Sequence, residues 1–224
     1  MPTLSYHSLE LLIIAHQARN RALLDAARRP DALTNDSIVA IVMAAASTEA
    51  FINEFAEHIS LFRAANMDGL TASMITCSDA IAELEDSKVP VTVKFLVASQ
   101  ILGSPFVRDA APFQDFATLI HLRNAIMHAK PATHETSHHG TKITDVLAQR
   151  GIATKLEPGV RFAWFNRLEV PSVARWACTA ARSIIVGVID LLPSRPAGDP
   201  LEWLGKSFRS HGGFEEPTEA SAGR

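Results

Sequence analysis

The sequence predicts an all-α fold, a bundle of about five to seven helices over residues 1–193 with a loosely ordered tail over 194–224. Three observations carry this. Apolar residues recur at three- and four-residue intervals through most of the chain. Proline, glycine and capping side chains interrupt those stretches at lengths suited to helices. Paired runs of alternating apolar residues, the mark of hairpin strands, are almost absent. Helices without strands pack as a bundle around one core.

Taken in order, Ser5 to Arg29 reads as a helix, with Leu9, Leu12, Ile13, His16 and Leu23-Leu24 on the helical period. Ser8 is an alternative cap and Pro30 stops the helix. Asn35, Asp36 and Ser37 offer capping side chains for a long second helix reaching about Ala65. Gly69 breaks the chain before a third helix, Thr71 to Glu85. Val89 to Leu102 is ambiguous. Val89, Val91 and Val93 alternate like a strand, whereas Lys94 to Leu102 reads helical, and no partner strand is near, so helix is favoured. Gly103 and Pro105 close it.

Pro112 to Ala129 is a helix with Pro near its first position and Pro131 beyond its end. A polar, histidine-rich loop from Thr133 to Gly140 precedes a short helix, Lys142 to Arg150. Gly151 to Glu169 looks irregular or weakly extended. A last helix starts at Pro171-Ser172 and ends before Pro193, where Pro, Gly, Ser and Glu rise sharply.

Composition narrows the function. A 47% hydrophobic fraction over 224 residues excludes wholesale disorder. A net charge of −3 argues against a broad electrostatic grip on nucleic acid and leaves room only for a small basic cleft. Arginine outnumbers lysine, and guanidinium suits bidentate phosphate contacts. Cys77 and Cys178 are too few for a disulfide framework or a thiolate zinc site and read as buried, reduced thiols.

The run Leu11 to Ala15 is too short for a signal peptide and lacks a basic flank. Val173 to Leu192 carries Arg175, Arg182 and Asp190, which argues against a membrane span. The expectation is a cytoplasmic protein. His134 and His138 have i,i+4 spacing beside His139, but Gly140 and the polar surroundings favour a solvated loop over a metal site, so no metal or cofactor is expected. Trp164, Phe165, Trp176 and Trp203 are candidates for stacking on bases, with core or interface packing as the alternative.

Two charges fall on apolar faces. A helix turns about 100° per residue. With Ala45 as zero, Glu49 lies at about +40°, inside the stripe formed by Ile38, Ile41, Ile52, Ala56 and Ile59. With Leu119 as zero, Arg123 also lies at about +40°, between Phe116 and Ile126. A buried charge needs a partner, so Glu49 and Arg123 are expected to meet in the core. The opposite face of that later helix carries His121, Asn124 and His128 beside Ala117 and Ala125, a stripe suited either to solvent or to a second subunit.

Arg123-Asn124-Ala125-Ile126-Met127-His128 fits the pattern Arg, four residues, His. In its setting, Leu122 to Pro131 resembles the "LRN…H.KP" signature of HEPN-like bacterial proteins. Ser47 to Glu54 upstream resembles the "EAFIN" segment of a related group. The specific match covers about twenty residues, and the helical layout extends it over Ser37 to Leu192.

The resemblance implies a helical bundle, commonly a homodimer. Active members of the family are metal-independent endoribonucleases, often toxins or antiphage effectors paired with an antitoxin protein. It implies Arg123, His128 and Asn124 as catalytic residues, and Glu49, Asn53 and His121 stand beside them as supporting residues. The alternative within the family is a non-catalytic module that binds a nucleotide or a partner protein, with Arg123–Glu49 as a core pair.

The chemistry fits those residue types. RNA supplies its own 2′-hydroxyl nucleophile, imidazole moves protons near neutral pH, and guanidinium offsets charge on the phosphoryl oxygens. His128, in the last turn before Pro131, suits a general acid or phosphate contact more than a general base. One departure stands out: Arg123 and His128 are five positions apart, which directs them about 140° apart around the helix.

Overall fold

A computed structural model describes residues 6–29, 33–128, 139–155, 164–193 and 200–210. These residues form eight α-helices and one 3-10 turn, with no strand among them. The helices are α1 (His7–Arg28), α2 (Asp36–Ala64), α3 (Ala72–Asp86), α4 (Val91–Ile101), α5 (Phe113–Met127), α6 (His139–Gln149), α7 (Pro171–Ile189) and α8 (Pro200–Ser210). The 3-10 turn is Asn166–Leu168, within the segment expected to be irregular.

None of the expected capping side chains, Ser8 or Asn35, Asp36 and Ser37, caps its helix. Thr71 caps α3, its hydroxyl accepting the Met74 N–H at 3.3 Å. At α2, Asn35 is already helical and makes no side-chain cap; Thr34 accepts the Asp36 N–H instead, at 3.3 Å. Ser8 does not cap α1. It lies inside the helix and is buried, its hydroxyl and N–H both donating to the Glu54 carboxylate. Pro171 opens α7, where a missing N–H costs nothing. The ambiguous 89–102 segment is helical from Val91 onward, directly after Pro90.

α2 is the central helix and packs against α1, α3, α4, α5 and α7. Its Ala40, Ala44 and Ala45 are fully buried, and small side chains there admit α1 and α7 closely. A row of rings crosses the core from Phe208 of α8 to Phe51 of α2, then Phe95 of α4 and Phe116 of α5, with centroids 5.5, 6.3 and 4.7 Å apart. α2 and α7 have the length and apolarity to cross a membrane, but 50% and 61% of their apolar windows are buried inside this bundle, as core helices require.

The eighth helix corrects the sequence reading. Residues from 194 onward were expected to form a loose tail, yet Pro200–Ser210 is a helix with Leu201, Leu204 and Phe208 buried. Arg182 of α7 donates to the carbonyls of Phe208 and Arg209, at 3.1 and 2.7 Å, and so satisfies the exposed end of α8. Arg209 returns a bond to Asp190 at 2.6 Å.

His58 gives the fold a pH dependence. Its ring is buried on α2, edge-on to Tyr6 at 4.9 Å and stacked with Phe62 at 6.3 Å. Burial holds its pKa below the ordinary value, against a smaller opposing pull from Glu57. The unfolded chain therefore takes up a proton at about pH 6.5 while the folded chain does not, so stability falls as pH drops through that value toward the folded pKa. Glu54 acts in the opposite sense: burial raises its folded pKa, so its contribution is present at low pH and is lost as pH rises. The expected result is that His58→Phe removes part of the acid-side loss of melting temperature between pH 7 and 5. An unchanged slope would eliminate His58 as its source.

Candidate functional site

Three helices bring their polar side chains to one side of α2. Glu49 and Asn53 stand one turn apart on it. Arg123 arrives from α5 and Lys94 from α4. The guanidinium of Arg123 donates to Glu49 Oε2 at 2.8 Å, so the two charges read from apolar faces do meet. They meet at the margin of the core rather than within it, with the Glu49 side chain 47% exposed and that of Arg123 24% exposed. A wheel angle identifies the side of a helix a residue occupies; it does not say how far the neighbouring helix extends over it. The Nε of Arg123 is buried without a hydrogen-bond partner.

Lys94 is the functional-type residue that the sequence reading passed over. Its ammonium is almost wholly buried, donates to Asn53 Oδ1 at 3.0 Å and pairs with the Glu85 carboxylate of α3. Burial lowers its pKa, and the charge of Glu49 one turn away opposes that shift. Asn53, expected only as a supporting residue, thus accepts from a second cation one turn along α2 from Glu49.

The rest of the motif faces outward. His121, Asn124 and His128 are exposed along α5, and Met127 beside them is 59% exposed. His128 is the C-cap residue of α5, its N–H donating to the Asn124 carbonyl at 3.0 Å. No side-chain hydrogen bond or ion pair joins Arg123, Asn124 and His128 to one another. Arg123 leans toward α2 while His128 ends the helix, as their angular separation required. Ala129 to Pro131, the close of the motif, and His134 and His138 lie outside the described residues.

Among the described residues no cluster of three or more His, Cys, Asp or Glu side chains is arranged to hold a metal. Cys77 and Cys178 are free and buried, and burial pushes both thiols up to about 12, which leaves them unreactive. Two of the aromatic candidates are taken up by packing. Trp176 is buried and donates to Asp115 at 3.3 Å. Trp164 lies flat over Gly140, where a Cβ would come within 2.6 Å of the ring. Trp203 is 47% exposed, with Tyr6 5.0 Å away.

Comparison with known family models, with curated proteins and with solved structures finds no match for this chain. What fold and site define is therefore, over the described residues, an all-helical bundle with one charge pair between α2 and α5, another between α3 and α4, and an exposed Asn-and-His stripe along α5.

Proposed function

We propose that this chain is a HEPN-type protein that cleaves RNA without a metal, as a cytoplasmic homodimer, with toxin or antiphage action held in check by an antitoxin protein. The observation that supports it best is the half-open Arg123–Glu49 pair: one amino group is held by Glu49, and the guanidinium still reaches solvent beside α5's exposed face. In this reading Arg123 neutralises charge on the phosphoryl oxygens and His128 transfers a proton, with Asn124 between them orienting the phosphate. The 2′-oxygen forms the new bond to phosphorus, the bond to the 5′-oxygen breaks, and that oxygen takes a proton. Products are a 2′,3′-cyclic phosphate and a 5′-hydroxyl. A second copy packed on the His121–Asn124–His128 stripe sets two motifs side by side across the two-fold axis.

A second reading rests on the divergence of Arg123 and His128. If that divergence persists in the dimer, the same surface binds a nucleotide or partner protein and does no chemistry. Incubation of structured and unstructured RNA with purified protein in EDTA, after removal of any bound antitoxin, separates the two. Cleavage to cyclic phosphate ends supports the ribonuclease; intact RNA across all substrates moves the assignment to the binding module.

A further inference from the structure

We infer that the trough between α2 and α3 is a docking site for a basic, amphipathic helix of a partner protein. The trough has a volume of about 350 Å³. Its floor is apolar, from Ala56, Leu61, Ile81 and Ala82. Its walls carry only acidic charge, Glu57 on α2 and Asp79, Glu85 and Asp86 on α3. Arg63 is committed to Asp79 at 3.2 Å and Lys94 to Glu85. Glu57 and Asp86 meet no cation among the described residues.

The protein itself shows which chemistry this trough accepts. At its inner end α4 inserts Lys94, whose ammonium sits between Asn53 of α2 and Glu85 of α3, two residues that line the trough. Toward the outer end the lining stays apolar beside Glu57 and Asp79; Asp79 is held by Arg63, and Glu57 meets no cation among the described residues. From Asn53 to Leu61 is about 12 Å at 1.5 Å per residue, or roughly two turns of helix. That length suits a helix placing apolar anchors at i, i+3 or i+4, and i+7 on the floor, with Lys or Arg reaching each wall. Anionic surfaces, nucleic acid included, are repelled by the same carboxylates. A helix seated there lies one turn of α2 from Glu49 and Arg123, so its binding bears on the candidate site. The inference does not depend on the ribonuclease reading.

The test is a fluorescein-labelled, 16-residue peptide with leucine and lysine at helical spacing, titrated with the full chain by fluorescence anisotropy. Saturable binding is expected. Glu57→Lys with Asp86→Lys should weaken it tenfold or more, and Leu61→Ser should weaken it severalfold. Glu10→Lys with Asp109→Lys, the same charge change elsewhere on the surface, should leave it within twofold. Matched circular dichroism and melting curves check that each variant is folded. Absence of saturable binding by the wild type would overturn the inference. So would equal losses from the two pairs of reversals, which indicate general attraction to an acidic protein. Displacement by equimolar spermidine overturns it too, in favour of a small amine ligand.

Discussion

Replacing Phe208 with Ala should destabilise the fold by about 3–5 kcal/mol, the range for removing a fully buried aromatic side chain. Phe208 is wholly buried and meets Phe51 edge to face at 5.5 Å, at one end of the ring row that runs through Phe95 to Phe116. The loss is a large fraction of an ordinary folding free energy of about 5–15 kcal/mol. Trp203→Ala, on the half-exposed face of the same helix, should cost far less. Urea unfolding of both variants measures the difference. A Phe208→Ala loss under about 1 kcal/mol would mean that α8 contributes little and that the tail expectation was the better description.

The reason α8 was not legible is instructive. The stretch from Ser194 is rich in Pro, Gly, Ser and Glu, and composition averaged over thirty residues concealed a short segment with its own periodicity. Leu201, Leu204 and Phe208 stand at i, i+3 and i+7, one face of a helix, and all three are buried. Length was not the difference, since α4 and α6 are 11 residues long like α8; their apolar residues stood between Pro or Gly punctuation that set them apart from their surroundings.

The site was legible to a similar depth. A carboxylate and a guanidinium centred on apolar stripes were sufficient to pair Glu49 with Arg123. Lys94 escaped notice because Val89, Val91 and Val93 suggested a strand, which obscures helical faces. On the helical reading Val91, Lys94, Phe95 and Ala98 share one stripe, and all four are buried. A lone lysine on such a stripe is the same signal that identified Glu49 and Arg123.

The sharpest separation of catalytic from structural roles comes from Arg123, Glu49 and His128 together. An ion pair this exposed contributes about 0.2–1 kcal/mol, so Arg123→Ala should lose little more stability than its packed stem accounts for. If Arg123 stabilises charge in the transition state, cleavage should fall about 10²–10³-fold in that variant. His128→Ala, at an exposed helix end, should leave the melting temperature unchanged and reduce cleavage about 10²–10⁴-fold. Glu49→Gln is the decisive member of the set. It keeps an acceptor near the guanidinium and removes the competing negative charge, so cleavage should be retained or increased. If Glu49→Gln instead abolishes cleavage as thoroughly as Arg123→Ala, with both variants folded, the carboxylate is needed to aim the guanidinium and the pair acts as one unit. If wild type and all three variants leave RNA intact while Arg123→Ala alone loses stability, Arg123 belongs to the bundle and the exposed face of α5 is a binding surface.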